Sequence, residues 1–410
     1  MVDMMQTVDK RTLVRWRTAI FAIFLASGLS IATWASRVPQ IKVALGIDNA
    51  QIGLLLLMGG AASILGLSIS SIVLARFGAR AGMFASMIIF GAGLVVIGAG
   101  ADLFHSFAVV AIGLMLWGFG NGAVDVMMNV EGATIEKQSS RTLLPLFHAF
   151  FSFGTVIGAG LGFLAIRIGF APVVHLAVMG VAIWILAIVC AASVPTHSPV
   201  DPEPGEKSHW RERLALSHSA WREPRTYALG VIMLGMSFAE GGANDWLPLS
   251  VVEGHAAPEE LGAAGLATFS TAMTIVRVLG GPLVDRFGRV WVLRILAVTA
   301  ASGLLLFIFA PNLPLVFVGA ALWGAGVSLG FPLGMSAAAD DPAKAAARVS
   351  AAAMIGYVAF LAGPPLLGLI SEQFGLLQTL LILVVLIVLS GLFSGAARPI
   401  AGSKVGAGHH

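Results

Sequence analysis

The chain is 410 residues long, with 58% hydrophobic and only 11% charged residues, a mean hydropathy of +0.91 and a net charge of +3. A soluble domain carries about a quarter charged residues, so a chain this apolar cannot face water over its surface and belongs in a bilayer. Its single cysteine, Cys190, excludes an intrachain disulfide and a multi-cysteine metal site, and its basic residues are scattered through short loops, which excludes a nucleic-acid patch.

Apolar stretches of spanning length, about 20 residues, fall first at 16–36, 51–74, 82–100, 105–128, 143–166 and 171–194. They return at 226–250, 261–284, 291–310, 314–336, 346–370 and 374–397. Continuous apolar runs without strict alternation predict helices and not barrel strands, since only these two satisfy every backbone group in lipid. The fold class expected is therefore an all-α membrane protein of twelve transmembrane helices. No short apolar segment with a small-residue cleavage site opens the chain, so no removable signal peptide is expected. With both termini placed in the cytoplasm, only Arg37, Lys42 and Arg167 of the 24 Lys and Arg fall on the far side, and only Arg277 lies within a span. That asymmetry obeys the positive-inside rule and assigns the chain to the inner membrane.

Between the sixth and seventh spans lies the longest polar stretch, 195–225, with Pro195, Pro199, Pro202 and Pro204 followed by a basic run from Lys207 to Arg225. It reads as a linker whose later part, with Trp210, Leu214, Leu216 and Trp221, suits a helix on the membrane surface. It separates two six-helix bundles, 1–194 and 226–410. The bundles repeat. Ala75-Arg76-Phe77-Gly78-Ala79-Arg80 after the second span returns about 210 residues later as Asp285-Arg286-Phe287-Gly288-Arg289 after the eighth. Trp117-Gly118-Phe119-Gly120 returns as Trp323-Gly324-Ala325-Gly326, and Trp34 as Trp246. Six spans per half give both halves the same orientation, a parallel repeat.

On these residues the chain resembles the major facilitator superfamily. Gly281-Pro282-Leu283-Val284-Asp285-Arg286-Phe287-Gly288-Arg289 matches that superfamily's loop motif, a Gly followed by Asp-Arg-x-Gly-Arg, whereas Ala75 stands where the first copy expects an acid. Such loops act in the superfamily as cytoplasmic gate latches, which implies gating roles for Arg76, Arg80, Asp285, Arg286 and Arg289, with a weaker latch on the first half. A further likeness, to bacterial permeases around the fucose permease, rests on Asp125-Val126-Met127-Met128-Asn129, Phe147-His148-Ala149-Phe150-Phe151-Ser152 and Glu240-Gly241-Gly242-Ala243-Asn244-Asp245-Trp246. It implies a sugar-like solute moved with protons.

Ionisable groups inside a bilayer cost about 2.5–3.5 kcal/mol on insertion scales, so each asks for a reason. In the seventh span Glu240 and Asn244 share a face, with Asp245 turned well round from them. Glu240 and Asp245 are the first candidates for proton coupling, against the plainer reading of neutral acids fixing helix packing. The adjacent Gly241-Gly242 suits a bend or break, as in transporter binding helices.

In the fourth span Trp117, Asn121, Asp125 and Asn129 follow one another at four-residue steps. The first and fourth helices of each half line the cavity in the superfamily, so the resemblance turns this stripe to the solute. Asn amides both donate to and accept from hydroxyls, and Trp117 offers a ring face. Asp125 divides evenly between coupling and pairing with Arg76 or Arg80 at a gate. Glu131 and Glu136 read as gate or solvated-end charges. His148, ordinarily titrating near pH 6.5, is set between pH-dependent gating and a plain hydrogen bond. Arg277 reads as a snorkelling or paired cation on the cytoplasmic side.

Ser27, Ser30, Trp34 and Arg37 share one face of the first span, directed at the seventh, with Arg37 bridging Asp245 as an outer gate or marking the interface. Trp34, Trp246 and Trp323 are either solute contacts or belt residues. Glycines such as Gly154, Gly158, Gly160 and Gly162 permit close helix contacts.

The function expected is secondary transport, by alternating access, of a small polar solute with protons as partner and sodium as the other candidate ion. The protein is expected to work as a monomer in the lipid bilayer with no cofactor and no metal. The alternative is a proton-antiporting exporter of amphipathic drugs on the same fold. The sequence carries no HExxH, GxSxG or P-loop motif for an enzyme, and no segment long enough for the soluble domain of a membrane sensor.

Overall fold

The structure, a computed structural model, describes residues 9–139, 143–196, 220–341 and 344–400, the side chains of residues 137, 145, 345, 346, 350, 353 and 357–360 excepted. Among these residues there is no strand. The helices are α1 (Lys10–Leu45), α2 (Asn49–Asp102), α3 (Phe107–Ser139), α4 (Leu144–Arg167), α5 (Pro172–Ser193), α6 (Pro224–Leu249), α7 (Glu259–Phe287) and α8 (Arg289–Phe309). They continue as α9 (Leu313–Val327), α10 (Gly330–Ala338), α11 (Ala345–Phe374), α12 (Leu376–Thr379) and α13 (Leu381–Phe393).

These helices make the twelve membrane passes that the hydropathy predicts. At a rise of about 1.5 Å per residue the 54 residues of α2 would run far beyond a hydrocarbon core of about 30 Å. They are two passes, joined at Gly78, whose φ of 77° and ψ of 165° break the helical path. Gly288 does the same between α7 and α8 with φ 74° and ψ 154°. Side chains avoid that conformation and glycine does not. The tenth pass is broken instead by a proline. Pro332 has no N–H, so the carbonyl of Ser328 four residues earlier loses its helical donor, and α9 stops at Val327. The twelfth pass is α12 and α13, closed by a 3-10 turn at Ser394–Ala397.

The chain divides into two compact units, residues 1–203 with 259–267, and residues 204–258 with 268–410. Of the expected linker, residues 197–219 lie outside the described residues, and with them Trp210, Leu214 and Leu216. Trp221 is described, edge-on to Tyr227 with ring centroids 6.0 Å apart.

The repeat read from sequence reappears as a repeat of packing inside each unit. A Cβ on Gly118 would lie 2.1 Å from the carbonyl oxygen of Gly59, and one on Gly324 would lie 2.2 Å from that of Phe269. Likewise Gly93 abuts the backbone of Trp117 as Gly303 abuts that of Trp323, and Gly120 abuts Phe90 as Gly326 abuts Ala300. Backbones this close are the membrane substitute for a hydrophobic drive between helices, which lipid does not supply. Only glycine fits such a contact, which is why these positions return in both halves.

Candidate functional site

In the first unit the two polar stripes meet each other. The Ser27 hydroxyl donates to Asn121 Oδ1 at 2.5 Å, and Ser30 Oγ accepts from Trp117 Nε1 at 3.2 Å and from Asn121 Nδ2 at 3.1 Å. The Ser30 hydroxyl donates to the Ser27 carbonyl at 2.8 Å. Ser27 and Ser30 are therefore engaged by α3. Four-residue steps identify a stripe but not the neighbour it meets. One turn on, Asn129 Nδ2 donates to the Asp125 carbonyl oxygen at 2.8 Å and to its carboxylate at 3.3 Å. Asp125 forms no ion pair among the described residues, so its pairing with Arg76 or Arg80 is corrected. Both arginines are exposed, and Arg76 lies over the Phe77 ring, 5.6 Å from its centroid.

At the other end of α1, Arg37 is fully buried. Its Nε donates to His175 Nδ1 on α5 at 3.0 Å, and its Nη1 donates to Gln40. His175 was not singled out from sequence, and a histidine near the same membrane end as Arg37 was the available signal. Trp34 and Trp246 are 1% and 0% exposed, which excludes the belt reading, since a belt residue must reach the lipid surface. His148 is exposed and meets the edge of the Phe24 ring at 5.2 Å. Glu131, read as a gate or solvated end, is buried at 5% exposure beside the Trp16 indole. Glu136 accepts from the backbone N–H of Leu143 at 2.6 Å and of Leu144 at 2.8 Å, so it caps α4.

The second unit holds the arrangement with most chemical content. Arg277 Nη2 donates to both carboxylate oxygens of Glu240, each at 2.8 Å, and its Nε donates at 3.0 Å to the Ser328 carbonyl. That carbonyl is the one Pro332 leaves without a donor, so one guanidinium joins α6, α7 and the break between α9 and α10. The sequence left Arg277 between snorkelling and pairing; it pairs, and its partner is Glu240, to which a separate role had been given. The two side chains are 16% and 18% exposed, enclosed but not sealed.

Asp245 faces a small recess lined by Phe238, Gly241, Gly242, Trp246, Pro364 and Leu367, with Asn244 half-buried beside it. The helix does not break at Gly241-Gly242 as expected. Leu383 closes over Gly242, where a Cβ would come within 2.8 Å of it, and α6 runs on to a π-helical turn at Ser250–Gly254. Trp323 is buried against Phe269 and Phe307, with centroids at 5.4 and 5.7 Å.

The motif residues bind within their own unit. Arg289 Nη2 pairs with Asp340 Oδ1 at 2.7 Å, and Arg225 Nη2 reaches Asp340 Oδ2 at 2.9 Å. Asp340 was also not singled out, although it is an acid at the charge-rich end of the tenth span. Arg286 lies over the Phe287 ring at 5.4 Å, and Asp285 is exposed. Glu223 accepts from Arg348 at 2.6 Å and Lys344 at 2.8 Å, and these bonds hold its carboxyl below the usual carboxylate range.

The sequence profile of the Major Facilitator Superfamily matches residues 19–266 and 252–405. The chain belongs to this superfamily. The transporter y4wD of Sinorhizobium fredii is 31% identical over 369 residues, covering 88% of this chain and 93% of its own. Among solved structures, the nucleoside transporter NupG superposes with a TM-score of 0.75 at 15% identity, covering 94% of this chain and 99% of its own. The superfamily transporter FucP superposes at 0.64 and 17% identity, covering 95% and 100%. At such identities these structures share the superfamily fold and carry nothing further.

Proposed function

We propose that the protein is a proton-coupled secondary transporter of a small, polar, sugar-like solute. The observation that carries this reading is the Glu240–Arg277 pair, set between membrane helices at the break in the tenth pass. An ionised pair in lipid is costly to maintain, and the sequence retains both partners where an apolar pair would pack. One proton on Glu240 removes the charge that Arg277 faces. The guanidinium then keeps its bond to the Ser328 carbonyl while its bonds to Glu240 weaken. Loss of the proton restores the pair. Asp245 offers a second carboxylate five residues along the same helix.

Within the first unit the groups assigned to the solute are Trp117, Asn121 and Asn129, and within the second unit the half-buried Asn244. Amides, hydroxyls and indole faces suit hydroxylated rings better than oily cations, which favours a hydrophilic solute over an amphipathic drug. The solved relatives named for a nucleoside and as FucP, a fucose:proton symporter, agree with a polar solute. The charge asymmetry supports cytoplasmic termini in an inner membrane, and a single chain suffices for the cycle.

The test uses wild type and Glu240→Gln in liposomes enclosing a pH-sensitive dye, offered pools of sugars, nucleosides, polyols and organic acids. A pool that acidifies the lumen with wild type alone supports symport through Glu240. Uptake that requires sodium without lumenal acidification replaces the proton. Alkalinisation driven by amphipathic cations replaces the reading with drug antiport.

A further inference from the structure

The first unit has a cavity of about 540 Å³ on its charge-rich side, where the turn between the second and third passes meets the end of α5. Phe77, Gly78, Arg80, Phe84, Ile188 and Thr196 lie on its wall. Phe77 and Ile188 are 62% and 60% exposed, so the apolar side opens outward to the region of the lipid tails. Arg80 supplies its charge. No hydrogen bond or ion pair of Arg80 is found among the described residues, and Arg76 adds a second cation at the rim over Phe77.

The corresponding turn of the second unit carries larger side chains. There the positions of Ala75, Ala79 and Ala81 carry Asp285, Arg289 and Trp291. Arg289 is neutralised by Asp340, and the Trp291 ring lies under Arg294 at 5.6 Å. In the first unit these three positions are alanines, so they add neither bulk nor an acid beside Arg80. The turn of the first unit thus presents an apolar slot with the Arg80 guanidinium, which has no hydrogen bond or ion pair among the described residues.

We propose that this cavity binds an anionic phospholipid, with the lipid phosphate on Arg80 and one acyl chain along Phe77, Phe84 and Ile188. The guanidinium fork matches phosphate oxygens, and basic pockets between helices at the charge-rich face of membrane proteins suit anionic headgroups. Neither the transported solute nor the ion enters the proposal, so it stands or fails apart from the transport reading.

The full chain in detergent micelles is offered equal amounts of phosphatidylglycerol and phosphatidylcholine with identical acyl chains, and the lipids retained are counted by native mass spectrometry. Wild type should retain phosphatidylglycerol about fivefold over phosphatidylcholine, the preference expected of one arginine near a headgroup. Arg80→Gln should fall to near parity. Ala192→Phe, which fills the slot and keeps the charge, should retain fewer lipids of either kind. Arg15→Gln, an exposed arginine elsewhere, should keep the wild-type preference. Intrinsic fluorescence and elution volume check that each variant is folded. An undiminished preference in Arg80→Gln overturns the proposal, and so does an equal loss in Arg15→Gln. A preference that appears only after residues 203–215 are deleted also overturns it, because the chain itself would then occupy the cavity.

Discussion

Removing the guanidinium of Arg277 tests whether the pair at the broken helix is one unit. Its Nη2 lies 2.8 Å from both Glu240 oxygens and its Nε 3.0 Å from the Ser328 carbonyl. Attraction between unit charges about 4 Å apart is roughly 4 kcal/mol at an effective dielectric of 20, and desolvation of both groups offsets much of it. Breaking such a pair from one side is more costly than its net worth, because the other charge stays enclosed. Full burial would give about 3–5 kcal/mol, and exposures of 16% and 18% lower the expectation to about 2–4 kcal/mol. The Ser328 carbonyl, orphaned a second time, adds about 1 kcal/mol or more.

Arg277→Gln should therefore lower the apparent melting temperature in detergent by roughly 6–20 °C, at about 2–4 °C per kcal/mol for a unit of this size. Glu240→Gln leaves the guanidinium with an amide oxygen and the Ser328 bond, and should cost less. The double variant should be more stable than the sum of the singles by about 1–3 kcal/mol. Melting curves of the four proteins, followed by tryptophan fluorescence at one scan rate, supply the cycle. Additivity within about 0.5 kcal/mol refutes the coupling and with it the argument for a shared proton switch.

Gly118→Ala and Gly324→Ala place a Cβ about 2 Å from a facing carbonyl oxygen and should each destabilise by about 1–3 kcal/mol, whereas Gly160→Ala meets nothing within 4 Å and should be neutral or slightly stabilising; the same melts decide. His175→Leu takes the acceptor from a fully buried Arg37 and should lower stability by about 1–3 kcal/mol, with His175→Gln restoring part of it. Glu223 has its carboxyl lowered by Arg348 and then Lys344. Its contribution is present above the unfolded carboxyl pKa, near 4.3, and is lost as pH falls through the lower folded value. Stability of wild type relative to Glu223→Gln should thus shrink below about pH 4, by no more than about 1 kcal/mol because the pair is partly solvated; melts from pH 3 to 7 measure it. Asn121→Ala removes partners from Ser27 and Ser30 and should weaken solute-driven proton entry, seen as a raised half-saturation concentration in liposomes.

Twelve passes, their order and their doubling into two alike halves were determined by the sequence alone. Run length and hydrophobicity decide what lipid accepts, and glycine returns wherever two backbones must touch. Gly78 and Gly288 were legible as turns for the same reason, as both sit in short charged motifs between apolar runs. What each buried polar group binds was decided by tertiary structure. Glu240 and Arg277 lie 37 residues apart, and no periodicity within one helix states which face of another it meets. Pro332 has no N–H to give, and only the folded unit brings Arg277 Nε to the carbonyl left behind. His175 and Asp340 went unremarked because each owes its importance to a cation on a different helix. In a bilayer the chain dictates its helices through their solvent, while the partners of its few charges depend on how those helices are packed side by side.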